Sequence, residues 1–116
     1  MKKGIVSVLA ATACMSLIAC GGGKPKNMDD DTYNIGKQAL AIEERYQSGG
    51  LDEQEALDQL HDLQDDLNSI WYKLDDNNQR VSNNGLSIAI NSFCIDINAL
   101  RDPSDDYSAL KEQLGE

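Results

Sequence analysis

Residues 51–74, LDEQEALDQLHDLQDDLNSIWYKL, decide the fold of this chain. Ala56, Leu60, Leu63, Leu67, Ile70 and Leu74 alternate four and three apart, which lines one side of an α-helix and repeats every seven residues, as in coiled-coil-like packing. The segment also marks its own beginning. Asp52 is placed as an N-cap, Glu55 three residues later as its return partner, and Leu51 as a hydrophobic staple onto Ala56.

Upstream, from Asp31 to Gln47, Ile35, Ala39, Ile42 and Tyr46 recur at helical spacing with Gly36 and Leu40 beside them, predicting a first helix. Asp29, Asp30 and Asp31 stand at its start, where carboxylates cap free N–H groups and oppose the dipole favourably. Ser48-Gly49-Gly50 closes it, because glycine readily takes the left-handed cap conformation. So short a connection makes these two helices an antiparallel hairpin.

Downstream, Asp75-Asp76-Asn77-Asn78 interrupts the pattern, and Ser82-Asn83-Asn84-Gly85 reads either as a second polar break or as a helix start. Leu86, Ile90, Phe93, Ile97 and Leu100 then step by four and three. Leu86-Ile88-Ile90 and Ile95-Ile97-Ala99 also alternate as a strand would, but fifteen residues without Gly or Pro suit a helix better than one strand. Asp102-Pro103 reads as an N-cap followed by proline at the first helical position, with Tyr107, Leu110 and Leu114 marking one face of a last, short helix. The expected fold is therefore all-α, a small bundle of three main helices plus a short C-terminal helix, spanning residues 29–116.

The chain has 116 residues, 41% hydrophobic and 5% aromatic, with 10 Lys plus Arg against 20 Asp plus Glu and a net charge of −10. One modest domain accounts for that length. Such acidity excludes a nucleic-acid ligand, since phosphate binding relies on Lys and Arg displacing counterions.

Met1, Lys2 and Lys3 form a positive start, and Gly4 to Ala19 is uncharged and apolar, the layout of a secretory signal and too short for a confident membrane span. Leu17-Ile18-Ala19-Cys20, followed by Gly21-Gly22-Gly23, resembles the lipobox of bacterial lipoproteins. That resemblance implies a signal peptide over 1–19, cleavage before Cys20, and acyl chains on Cys20 that anchor the chain to the cell membrane. Gly21 after Cys20, rather than Asp, resembles the pattern that permits export to the outer membrane in cells with two membranes. Residues 20–28 are expected to form the lipidated cysteine and a flexible tether, with Lys24 and Lys26 near anionic headgroups. Cleavage would also remove Lys2 and Lys3, taking the charge from −10 to about −12.

Little in the sequence carries chemistry. His61 is the only histidine, which leaves a multi-histidine metal centre or a Ser-His-Asp arrangement without support. Calcium-loop spacings beginning at Asp75 or Asp102 fail at the turn glycine and at the final glutamate. After processing, Cys94 has no cysteine left to pair with, and its apolar surroundings predict a small buried hydrophobe. We therefore expect no enzyme, no cofactor and no metal centre.

Two surface features stand out. Glu55, Asp58, Asp62 and Asp65 repeat at steps of three and four, with no Lys or Arg between Leu51 and Tyr72, so they form either a solvated stripe or a surface for a basic partner or divalent cations. Trp71 and Tyr72 end the same helix as core-edge residues or as an aromatic binding anchor. The functional expectation is a lipid-anchored structural or protein-interaction module of the cell envelope, with an envelope protein as partner. The alternative is a small-ligand receptor or transporter accessory.

Overall fold

The computed structural model describes residues 24–116; the expected signal segment, the lipobox-like residues and Cys20 lie outside the described residues. Four α-helices follow one another: α1 (Asp30–Gln47), α2 (Glu53–Trp71), α3 (Asn77–Asn98) and α4 (Ser104–Gln113). No described residue lies in a strand. Each helix packs on its chain neighbour, except that α4 follows α3 and also closes onto α1, completing a ring. The all-α bundle of three longer helices and one short one is thus the observed architecture.

The expected caps form. Asp29 accepts from the Thr32 N–H to start α1. At α2, the Asp52 side chain accepts from the Glu55 N–H while Glu55 accepts from the Asp52 N–H, a reciprocal capping box. Leu51 and Ala56 are both buried in the core, as a staple requires. Helix α1 ends with Gly49 at φ 89°, where the N–H of Gly49 bonds to Tyr46 O and that of Gly50 to Arg45 O, a Schellman ending.

Other expectations are corrected. Helix α3 begins at Asn77, capped by Asp76, and runs unbroken through Ser82-Asn83-Asn84-Gly85. Asn83 is the reason: its amide is buried and donates to Thr32 Oγ1 (3.1 Å) and Leu67 O (3.0 Å). An Asn that would favour a turn locally instead ties α1, α2 and α3 together. Leu100 is not on the apolar seam; it is 83% exposed and follows the C-cap Ala99 with φ 58°. Its N–H bonds to Ile97 O and that of Arg101 to Asp96 O, so a leucine stands where a Schellman ending favours glycine.

Pro103 occupies the N-cap position of α4 rather than the first helical one, and Asp102, just before it, accepts from the Ser104 N–H. Ile70 is only half-buried, because the seam of α2 turns outward near its end. Met28 is no part of a free tether. It is 2% exposed and belongs to the core, held by a turn in which its N–H bonds to Pro25 O while Lys24 reaches Met28 O and Asp30.

The buried face of α1 is rotated from the one expected. Ile35, Ile42 and Tyr46 sit at its edge, whereas Thr32, Gly36, Ala39, Leu40 and Glu43 point inward. Gly36 sits against a leucine of α3 and the leucine that ends α4: a Cβ there would lie 2.6 Å from Leu114 Cδ2 and 2.9 Å from Leu86 Cδ1. Its lack of a side chain lets α4 close the ring.

Candidate functional site

The acidic stripe rides on the solvent side of α2. Glu55, Asp58, Asp62 and Asp65 are all exposed, and two of them already have local partners. Glu55 completes the capping box, and Asp58 accepts from Gln54 Nε2 at 2.9 Å. Asp66, beside the stripe, has its carboxyl pushed up by partial burial and by Asp62 and Asp65. Among the described residues no three His, Cys, Asp or Glu side chains converge on a position that could hold a metal ion. The stripe is a line of carboxylates, and its geometry is that of a solvated helix face. His61 is exposed within it.

Trp71 and Tyr72 stand at the end of α2 as an edge-to-face pair, with ring centroids 5.2 Å apart and an interplanar angle of 89°. Trp71 is half-buried and carries the Arg80 guanidinium 4.6 Å from its centroid, so it bridges α2 to the start of α3 through a cation–π contact. Tyr72 is 71% exposed. Between them and α3 opens a groove of about 270 Å³ lined by Asn68, Trp71, Tyr72, Asn83, Asn84 and Ser87. Amides, a hydroxyl and two rings can hydrogen-bond and stack. The groove offers no carboxylate, imidazole or thiol for acid–base or nucleophilic work.

One surface the sequence reading passed over adjoins this groove. Val81, Ile88 and Ile95 on α3 are 65%, 61% and 49% exposed. They are seven residues apart, and seven residues are nearly two helical turns, so all three project from one side of α3, opposite Leu86, Ile90, Phe93 and Ile97 in the core. Asn84, Asn91 and Asn98, also seven apart and exposed, run alongside. From Val81 to Ile95 no residue carries charge. The signal was present in the strand-like alternation at Ile88 and Ile95: it arises because α3 is apolar on two opposite faces, one inward and one outward.

A second missed feature lies inside. Glu43 is fully buried and neither carboxylate oxygen has a partner among the described residues. Burial, with Asp106 adding repulsion, pushes its carboxyl up to about 9. The neighbouring Cys94 thiol is pushed up to about 11 by burial and by Glu43, which makes it a poor nucleophile. Asp106, at the start of α4, is raised to about 6 by partial burial and by Asp96. Tyr107 packs against the core and donates to Glu44, so burial and that bond raise its hydroxyl well above the usual phenol range. This junction of α1, α3 and α4 stores electrostatic cost but opens into no groove lined by these groups.

Comparisons with family models, with curated proteins and with solved structures return no match for this chain.

Proposed function

We propose that this chain is a lipid-anchored, extracytoplasmic module of the bacterial cell envelope that acts by protein–protein contact through the outward face of α3, without catalysis. The uncharged row of Val81, Ile88 and Ile95 on a chain of net charge −10 carries this reading. Exposed β-branched side chains in a continuous line cost solubility unless something covers them. The lipobox-like Leu17-Ile18-Ala19-Cys20 supports the anchoring half of the proposal, with Cys20 as the lipid attachment site.

A small-ligand receptor fits less well. The groove beside Trp71 is about 270 Å³, at the bottom of the ~300–1,000 Å³ range of ligand pockets, and its polar lining lacks the apolar walls such pockets use.

Mass spectrometry of the mature amino terminus tests the anchor: Cys20 should be the first residue and carry acyl mass. An intact segment before residue 20, or an unmodified Cys20, would refute it. Replacing Ile88 by a photo-crosslinking residue in the native envelope tests the face, and irradiation should capture a protein there but not from the same residue at Asp58.

A further inference from the structure

We propose that the groove between the end of α2 and the first half of α3 binds a neutral saccharide, with Tyr72 as the stacking ring and the amides of Asn68, Asn83 and Asn84 as partners for its hydroxyls. The proposal does not depend on what meets the outward face of α3.

Two short polar helix faces build this groove. Asn68 precedes Trp71 and Tyr72 by three and four residues on α2, and Asn83 and Asn84 precede Ser87 by four and three on α3, so each set shares one side of its helix. Charged residues make up 26% of the chain, yet none lines the groove. Arg80 is turned onto the Trp71 ring instead. A neutral lining selects a neutral ligand, because an ion would leave water without a counter-charge.

Asn83 gives the groove a fixed acceptor. It is 2% exposed, and its amide nitrogen donates to Thr32 Oγ1 and Leu67 O. The Leu67 carbonyl can only accept, which sets the amide orientation. Both N–H bonds are spent on the fold, while Oδ1 accepts from no donor among the described residues and the side chain lines the groove. A buried amide oxygen so placed calls for a donor from water or from a ligand hydroxyl. Asn68 and Asn84 are exposed beside it, with no hydrogen bond from either amide to another described residue. Asparagine is a poor helix former, and packing gives no reason for Asn84 in mid-helix. A carboxamide sets an acceptor beside two donors, the complement of adjacent sugar hydroxyls, each of which donates and accepts.

Tyr72 completes the match. It is 71% exposed, and its edge-to-face contact with Trp71 holds it at the rim. Arg80 already covers a face of Trp71 at 4.6 Å from the centroid, so Tyr72 supplies the open ring for the C–H side of a sugar. The groove of about 270 Å³ equals about nine waters at ~30 Å³ each, room for roughly one pyranose ring of a longer chain. Such a ring has about twelve non-hydrogen atoms, which at the efficiency of ordinary ligands gives a Kd in the millimolar range. With no carboxylate in the lining, the saccharide is bound and released intact.

Trp71 is the only tryptophan, so its fluorescence reports on the groove. The full chain, in a detergent without a sugar headgroup, is titrated with maltotriose, cellotriose, triacetylchitotriose and the neutral peptide acetyl-trialanine amide. At least one trisaccharide should give a saturating change at millimolar concentration, with the side-chain amide NMR signals of Asn68 and Asn84 shifting in step. Tyr72→Ala and Asn84→Ala, both at exposed positions, should each weaken binding at least ~5-fold. Tyr72→Phe, which keeps the ring, and Asp58→Asn, outside the groove, should bind as the wild type does. No saturable response to any trisaccharide would overturn the proposal, as would a response that survives both alanine substitutions. Saturation by the peptide and by no saccharide would overturn it too and make the groove a peptide site.

Discussion

Glu43 should make the stability of this domain fall steadily as pH rises through neutrality. In the unfolded chain its carboxyl titrates near the ordinary value of 4.5, and in the fold at about 9. The folded state thus holds a proton that the unfolded state has released. Stability is greatest below the unfolded value and is lost as pH climbs toward the folded one. Each unit between the two corresponds to ~1.4 kcal/mol, so the loss is about 3 kcal/mol at pH 7 and grows to about 6 kcal/mol at pH 9 and above. Domains of this size are typically stable by only ~5–15 kcal/mol. Asp106 and Cys94 flank this window, since the Asp106 contribution is complete by about pH 6 and that of Cys94 sets in above its ordinary value of 9.

Urea denaturation of the wild type and of Glu43→Gln, from about pH 5.5 to pH 8.5, isolates the effect. The wild type should lose roughly 1 kcal/mol per pH unit and Glu43→Gln should be nearly flat, so the two curves converge toward acid and separate toward base. Glu43→Met should also exceed the wild type at neutral pH, because it removes the unpartnered carboxyl itself. Parallel profiles for wild type and Glu43→Gln would refute the argument, for they would place the Glu43 carboxylate in water or beside a donor.

At Gly36, an added methyl has nowhere to go, since Leu114 and Leu86 are both fully buried; Gly36→Ala should destabilise by about 1–3 kcal/mol despite the ~1 kcal/mol gain in helix propensity, and equal or greater stability in urea would show that α4 docks more loosely. Leu100→Gly should stabilise by about 0.5–1 kcal/mol, because a left-handed leucine is strained and this one is 83% exposed with little burial to lose; a lower melting temperature would contradict that. Asp58→Asn combined with Asp62→Asn should raise the melting temperature in low salt by relieving like-charge repulsion on α2. Calcium and sodium at matched ionic strength should stabilise the wild type equally, and a calcium excess abolished by the double substitution would reveal a cation site.

The caps and the periodic seams were legible because they are local. Asp52, Glu55 and Leu51 act on groups three to five residues away, so the stretch from Leu51 to Ala56 contains the whole interaction. Steps of three and four likewise report helix whichever neighbour later covers the face. Asp62 and Asp65 were legible as surface for the same reason, since a run of charge without a counter-ion is tolerated only in water.

Which side of each helix faces which neighbour is not local. Glu43 is buried because α4 closes over α1, and Gly36 permits that closure; in the α1 sequence Glu43 reads as one more charged residue. Asn83 looks like a turn former until Thr32 and the Leu67 carbonyl, 51 and 16 residues away, arrive to receive its amide. Met28 leaves the tether for the core only because α1 and its neighbours leave a place for it. The outward row of Val81, Ile88 and Ile95 is the clearest case. Both faces of α3 are apolar, so composition and period alone cannot choose the inner one. Packing of α2 and α4 against α3 makes the choice, by covering Ile90, Phe93 and Ile97 and leaving the other ridge in water.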